Sequence, residues 1–377
     1  MDNPYRSQPA KSFWNQTVAP YHPQEVPDWY EKRFSLDGLK IATAGSCFAQ
    51  HLGRNLRDTG FDYLDVEPAP AELPEKLRRD YGYALYSARY GNVYTARQLV
   101  QLIQRAQGQF APLEAFWEKD GGVVDPFRPT LEPEPFGSVA EAQALQKDHL
   151  ERVAEMFRQQ EVFVFTLGMT EAWLSTEDGA AFPMCPGTVA GDYDETKYRF
   201  HNLTAAEVRA DMEAAIAALR AINPALKILL TVSPVAMMAT ATNKQVAVAN
   251  AYSKSVLRTV AGELYDTHDF VDYFPSYEII TAPFMKGSFL AAGQRDVTPE
   301  GVEFVMKQFM AQHQPPSRGQ FVDPSEIIER APPSARRPVP SRRPPPPMAK
   351  PSRDDDVDLD DVKCDEEILS AFGDGKE

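Results

Sequence analysis

Cysteine is scarce: Cys47, Cys185 and Cys364 are the only three in 377 residues. An odd, widely spaced set offers no disulfide framework and no paired CxxC metal signature. A reducing compartment, the cytoplasm, is therefore expected. Long apolar runs are missing too. No stretch of about twenty apolar residues exists, which argues against a membrane-spanning helix. The opening "MDNPYRSQPAKSFWNQ" lacks the apolar centre of a leader peptide, so none is expected. Positive charge is in deficit, with 39 Lys and Arg against 54 Asp and Glu, a formal charge of −15. Phosphate contact needs a basic face, so nucleic acid is not an expected partner. A small-molecule or glycan substrate suits this balance better. No metal-ligand spacing appears, and no metal or other cofactor is expected.

What is present can build a sizeable core, since 43% of the residues are hydrophobic and 11% aromatic. The composition changes sharply after about His313. "PPSARRPVPSRRPPPPMAKPSR" is rich in proline and arginine, and "DDDVDLDDVKCDEEILSAFGDGKE" is strongly acidic. Such segments bury too little to offset their ordering entropy. Residues 1–314 are thus expected as the folded domain and 315–377 as a disordered tail. Within that tail, "DEEILSAF" could form a short amphipathic helix on a protein partner.

Upstream, apolar runs alternate with helical periods. "LKIATAG" (39–45), "EVFVFTLG" (161–168), "KILLTVSP" (227–234) and "DFVDYF" (269–274) read as buried strands. Helices are expected from Cys47 to Thr59 and after the caps Ser138-x-x-Glu141, Thr204-x-x-Glu207 and Thr298-Pro299. Strands separated by helices imply an α/β fold whose mainly parallel central sheet is covered on both faces. The crevice then lies at the carboxyl ends of the strands. Gly45-Ser46-Cys47, Gly168-Met169-Thr170-Glu171 and Ser233-Pro234 converge there.

These segments resemble a known family. "GSCFA" at 45–49 is the signature after which the GSCFA family is named. "VFVFTLGMTEAW", "ILLTVSPVAMMAT", "YSKSVLRTVA" and "VDYFPSYEII" are similar to its later blocks, and the likeness runs over roughly residues 4 to 310. The family in turn resembles the SGNH, or GDSL-type, hydrolases. There a strand ends in Gly-Asp-Ser and the serine attacks an ester carbonyl. A Gly-x-Asn-Asp block supplies an oxyanion donor, and a final Asp-x-x-His block supplies the base. The resemblance implies a three-layer SGNH-like fold and acyl-ester chemistry on carbohydrates.

Laid on Gly-Asp-Ser, Cys47 takes the nucleophile's place and Ser46 the aspartate's. A thiol at a helix N-terminus has its thiolate stabilised by free amides and the helix dipole. Ser46 is the alternative nucleophile, or the helix N-cap. The bland alternative is a small-residue turn around an inert thiol. Gly168 to Glu171 fall on Gly-x-Asn-Asp, which gives the Gly168 amide and the Thr170 hydroxyl an oxyanion role. Alternatively, Thr170 or Ser175 caps a short helix at "EAWLS". Gly91-Asn92 is a second oxyanion contributor or an ordinary turn.

The base is the difficulty. "GQRDVTPEG" puts Gly293 at the aspartate's place and Asp296 at the histidine's, and Gln245 stands where related sequences carry another histidine. By loop position and elimination His201 is the best remaining acid–base group, ahead of His51 and His268. Cys185, on the loop "FPMCPG", is expected in the core. The leading expectation is an esterase or O-acyltransferase with a Cys or Ser nucleophile. Its rivals are a degenerate SGNH-like fold that binds a glycan or peptide, and an adaptor acting through its tail.

Overall fold

The apolar runs become strands because each is buried on both faces. In the computed structural model, which describes residues 3–314 and 362–372, four parallel strands form the central sheet. They are Ile41–Gly45, Val162–Leu167, Lys227–Val232 and Val271–Tyr273, side by side in chain order. Beyond the first strand, Tyr63 forms a parallel bridge with Ile41. There the Ile41 amide donates to the Asp62 carbonyl and the Leu64 amide to the Ile41 carbonyl, both at 2.8 Å. Counting this short edge segment, the spatial order is 2-1-3-4-5, a doubly wound arrangement whose switch point lies between Ile41–Gly45 and Val162–Leu167.

Successive strand side chains point to opposite faces. Phe163, Phe165 and Leu167 join one core cluster with Leu99, Ile103, Phe157, Val208, Ile216 and Leu257. Val162 and Val164 join the other with Phe48, Leu52, Ile280, Val305 and Phe309. Helices Ala96–Ala106, Val139–Gln159, Ala205–Ile222 and Val246–Thr267 therefore cover one face, and Ala49–Asp58, Ser276–Thr281 and Pro299–Gln312 the other. The result is three layers. The helices start where side chains satisfy free amides: Ser138, Thr204 and Thr298 all cap, and Thr95 with Gln98 forms a further capping box.

Three expectations change. The helix after the first strand begins at Ala49, not Cys47. "EAWLS" is a strand, Glu171–Ser175, paired with Ala181–Phe182 and Tyr198–Asn202 in a small antiparallel sheet. Its period is two, with Ala172 and Leu174 buried between more open neighbours. The third change concerns the tail. Residues 315–361 lie outside the described residues, but Val362–Phe372 packs on the domain, with Asp365–Phe372 a 3-10 helix. Cys364 forms a disulfide with Cys47 across a Cα–Cα distance of 5.4 Å, within the usual span. The expectation of no disulfide, and of disorder to the end of the chain, is corrected at this segment. Its ordering is offset by specific polar contacts and a covalent link, which composition does not reveal.

Candidate active site

At the switch point the chain leaves the first strand through Gly45, whose φ is +137°. The Ser46 amide donates to the Thr166 carbonyl at 3.1 Å, and the Ala49 amide to the Ser46 carbonyl at 2.9 Å. The turn is thus tied to the second strand before the helix begins. Ser46 and Cys47 are 2% and 1% exposed. Among the described residues the Ser46 hydroxyl has no hydrogen-bond partner. Gly168 faces this turn, and a Cβ there would lie 2.8 Å from Ser46 Cβ. Ser233, at the end of the third strand, lines the same crevice.

Sequence reasoning missed the strongest charge in the crevice. Lys254 is 1% exposed, and its Nζ donates to the Gly168 carbonyl at 2.7 Å. Burial pushes its ammonium down to about 8; nearby Glu366 opposes that shift and Arg295 reinforces it. A signal existed: Lys254 stands in "YSKSVLRTVA" at helical spacing with the buried Leu257, Ala261 and Leu264. A lysine inside such a stripe is rarely an ordinary surface residue.

Several expected roles are not what the geometry gives. The Gly168 amide donates to the Tyr94 carbonyl at 3.1 Å, so it is not free for an oxyanion. Thr170 donates its hydroxyl to Asn202 at 2.6 Å, and its amide to Ser253 at 2.9 Å. Glu171 accepts from the Thr240 hydroxyl at 2.6 Å and the Ala241 amide at 3.2 Å. This block braces neighbouring segments. His201 pairs on its strand with Ala172, and its Nε2 meets Glu207 at 2.8 Å. His51 packs on Phe48, and burial with the nearby Arg54 and Arg79 pushes it down to about 4. His268 is held by Glu213 at 2.9 Å. No histidine lies among the described residues that line the crevice. Gln245 caps its helix, and Asp296 pairs with Arg295. Cys185 is half-buried, and burial pushes its thiol up to about 11.

Asn92 meets the tail segment that lies over the site. Gly91 turns the chain, and Asn92 Oδ1 then accepts from the Tyr86 hydroxyl. This leaves Nδ2 to donate to the Lys363 carbonyl at 3.1 Å and to the Asp365 carboxylate at 3.0 Å. With the tail segment in place, only about 10 Å³ of space remains in the crevice. A roomier cleft of about 290 Å³ holds Arg89, Arg128 and Arg152. Their guanidiniums already serve Glu132, Asp125 and Asp148, so it offers no unspent charge. Among the described residues no cluster of His, Cys, Asp or Glu could hold a metal ion, and no helix is long and apolar enough to cross a membrane.

With this geometry in view, comparison with known proteins is informative chiefly about family. The model of the GSCFA family matches residues 40–309. None of the curated proteins compared with the chain matches it. Among solved structures, the chain is similar to an acetyl esterase mutant, S10A, with acetate ion, at 11% identity and a TM-score of 0.34, covering 73% of this chain and 95% of that one. It is also similar to a carbohydrate esterase family 3 protein from Talaromyces cellulolyticus, at 12% identity and a TM-score of 0.28, covering 73% and 95%. A Clostridium thermocellum family 3 carbohydrate esterase gives 9% identity and 0.26, covering 72% and 94%. At these identities and scores no activity is carried over to this chain.

Proposed function

We propose, from the premise that the chain belongs to the GSCFA family, that it is an ester hydrolase or acyltransferase acting on an acyl group carried by a carbohydrate. The observation that carries this reading is the meeting of Ser46, Cys47 and the buried Lys254 in one crevice at the sheet's switch point. Cys47, once released from Cys364, attacks the acyl carbonyl and forms a thioester. Ser46 is the alternative nucleophile. Lys254, held near 8 by burial, has a neutral fraction at working pH. It takes the nucleophile's proton and returns it to the leaving alcohol, the work for which no histidine lines the crevice. Asn92 Nδ2, which in the closed crevice donates to the Asp365 carboxylate, is assigned as the oxyanion donor. The carbohydrate acceptor rests on the family's resemblance to SGNH hydrolases, and a cytoplasmic location requires the Cys47–Cys364 disulfide to be of the transient, redox-sensing kind.

The test uses the full-length chain reduced with a dithiol, an acetylated oligosaccharide and an aryl acetate. Lys254→Met is expected to lower turnover of the oligosaccharide ester by about 10²-fold or more, the scale of lost acid–base catalysis. The aryl ester, whose leaving group needs no proton, is expected to lose less. Cys47→Ala abolishes both; full turnover in that variant moves the nucleophile to Ser46. No turnover of either ester by the reduced parent sinks the enzyme reading. Ligand binding without turnover then replaces it, a second reading favoured by the peptide segment seated in the crevice.

A further inference from the structure

The crevice walls contact the tail residue by residue. Gln50 holds Lys363 as a neighbouring strand would: its Oε1 accepts from the Lys363 amide at 3.0 Å, and its Nε2 donates to the Lys363 carbonyl at 2.8 Å. The Lys363 ammonium donates to the carbonyls of Asp80 and Thr130, at 2.9 and 2.7 Å. Cys364 is joined to Cys47. The Asp365 amide donates to the Tyr94 hydroxyl at 3.1 Å, and its carboxylate accepts from Asn92 and from Thr130. Glu366 accepts from Arg295 Nη2 at 3.1 Å and lines the crevice with Lys254. Cys364, Asp365 and Glu366 are only 6–7% exposed. Apolar anchoring beyond them is slight, since Ile368 is 41% and Phe372 65% exposed. The grip is polar and covalent.

We propose that this crevice is a binding site for an acidic, cysteine-containing peptide, and that its ligand is the chain's own Lys363-Cys364-Asp365-Glu366 segment, a strap locked by the Cys47–Cys364 disulfide and unlocked by a dithiol reductant. The strap leaves no room for a sugar ring. Cys364, at 7% exposed against 1% for Cys47, is the sulfur an outside thiolate reaches first. Attack there breaks the Sγ–Sγ bond, and Cys47 leaves as a thiolate. The reductant's second thiol then displaces Cys364 from the mixed disulfide. Two electrons and two protons pass to the cysteine pair, and the reductant departs as its own disulfide. The strap is then held by its polar contacts alone, and its parting from the crevice frees the Cys47 thiol and the Asn92 donor together. Its effect on turnover rests on the acyl-transfer reading; the strap itself does not.

The experiment uses the full-length protein. A non-reducing digest of the oxidised chain is expected to yield the Cys47 and Cys364 peptides linked, from material that runs as a monomer on a non-reducing gel. Cys47 is then labelled with N-ethylmaleimide under native conditions and read by mass spectrometry. Labelling is expected to be absent in the oxidised chain and slow in the reduced one. Adding Asp365→Asn and Glu366→Gln to the reduced chain should speed it at least about tenfold, through loss of charge-assisted hydrogen bonds. Cys364→Ser, which needs no reductant, is expected to label as slowly as the reduced parent. Unlinked cysteines in the oxidised chain overturn the lock, and a covalent dimer overturns the intramolecular strap. Equal labelling with and without the two carboxylate changes overturns the peptide site. Labelling needs no turnover, so a strap that behaves as stated in a chain without esterase activity overturns the enzyme reading alone.

Discussion

Replacing Gly45 by alanine tests whether the nucleophile turn is built on backbone contact. A Cβ at Gly45 would lie 2.4 Å from the Thr166 carbonyl oxygen, 2.7 Å from its amide nitrogen and 2.8 Å from its Cβ. The first two are backbone atoms of the neighbouring strand, so no rotamer change relieves the clash. The φ of +137° adds a conformation that L-residues rarely adopt. The strained dihedral costs about 1–3 kcal/mol. Overpacking costs about 1–3 kcal/mol more. Their sum, about 2–6 kcal/mol, lowers the melting temperature of a domain this size by roughly 3–9 °C, at about 1.5 °C per kcal/mol. Relief by parting the strands would stretch the 3.1 Å bond from the Ser46 amide to Thr166, which aims the turn. Thermal unfolding followed by circular dichroism reads the loss. Gly293→Ala is the control, because a Cβ there meets nothing within 4 Å. Gly168→Ala belongs at the milder end, since it meets Ser46 Cβ at 2.8 Å but backbone no nearer than 3.1 Å. A Gly45→Ala chain that melts within about 1 °C of the parent, less than the shift for 1 kcal/mol, refutes the reasoning.

Burial, with Lys32 nearby, pushes His313 down to about 4. The unfolded chain therefore binds the extra proton between about 4 and 6.5, and stability rises with pH through that window, by about 3 kcal/mol in all. Urea midpoints at several pH values check this, and a His313→Gln slope equal to the parent's sinks it. In the oxidised chain, Lys254→Met leaves Glu366 buried beside Arg295 and the Gly168 carbonyl without its donor. A loss of roughly 1–3 kcal/mol is expected in denaturant unfolding, the cost of a buried acceptor left unsatisfied; an unchanged midpoint counts against the Lys254–Gly168 bond. Arg33 Nη1 donates to the carbonyls of Tyr265, His268 and Val271 at 2.6–2.7 Å, and its guanidinium lies 3.5 Å over the Tyr265 ring. Arg33→Ala should cost about 2–3 kcal/mol, and a loss under 0.5 kcal/mol would show these contacts are replaced by water.

The strands and their mainly parallel pairing were legible because continuous apolar runs such as "VFVFTL" leave few alternatives once helical periods separate them. The caps were legible because Ser138, Thr204 and Thr298 bond amides three residues on, within one stretch of sequence. The position of Ser46 and Cys47 followed from the same local logic. What stayed hidden depends on partners far along the chain. The Gly168 amide looked free until the Tyr94 carbonyl, from a segment 74 positions earlier, was seen to take it. Cys364 lies 317 residues from Cys47, and no spacing rule links them. The tail's composition does predict weak burial, and Ile368 and Phe372 are indeed exposed. Composition counts apolar area, though, and is blind to the bonds that Gln50, Asn92 and Tyr94 make to the strap.

The strap also bears on how strongly Lys254 holds its proton. In the closed crevice burial drives the ammonium to give it up, and the Glu366 carboxylate is the influence that keeps it. Release of the strap withdraws Glu366 with Cys364, because the two are separated by a single residue. Lys254 itself stays on a helix packed among Leu257, Ala261 and Leu264, so its stem remains buried after the carboxylate has gone. With the stem still buried, withdrawal of the anion is expected to leave the open crevice with a more readily deprotonated amine than the closed one. If this amine is the base, the rate of ester turnover by the reduced chain rises with pH and levels off at or below about 8. A free lysine would place that limb near 10.4. Glu366→Gln should leave the limb of the reduced chain in place, since turnover takes place only in the open crevice, from which the carboxylate has departed. A limb near 10 in the reduced parent would show that water floods the opened crevice, and burial would then no longer explain how a lysine serves here as a base.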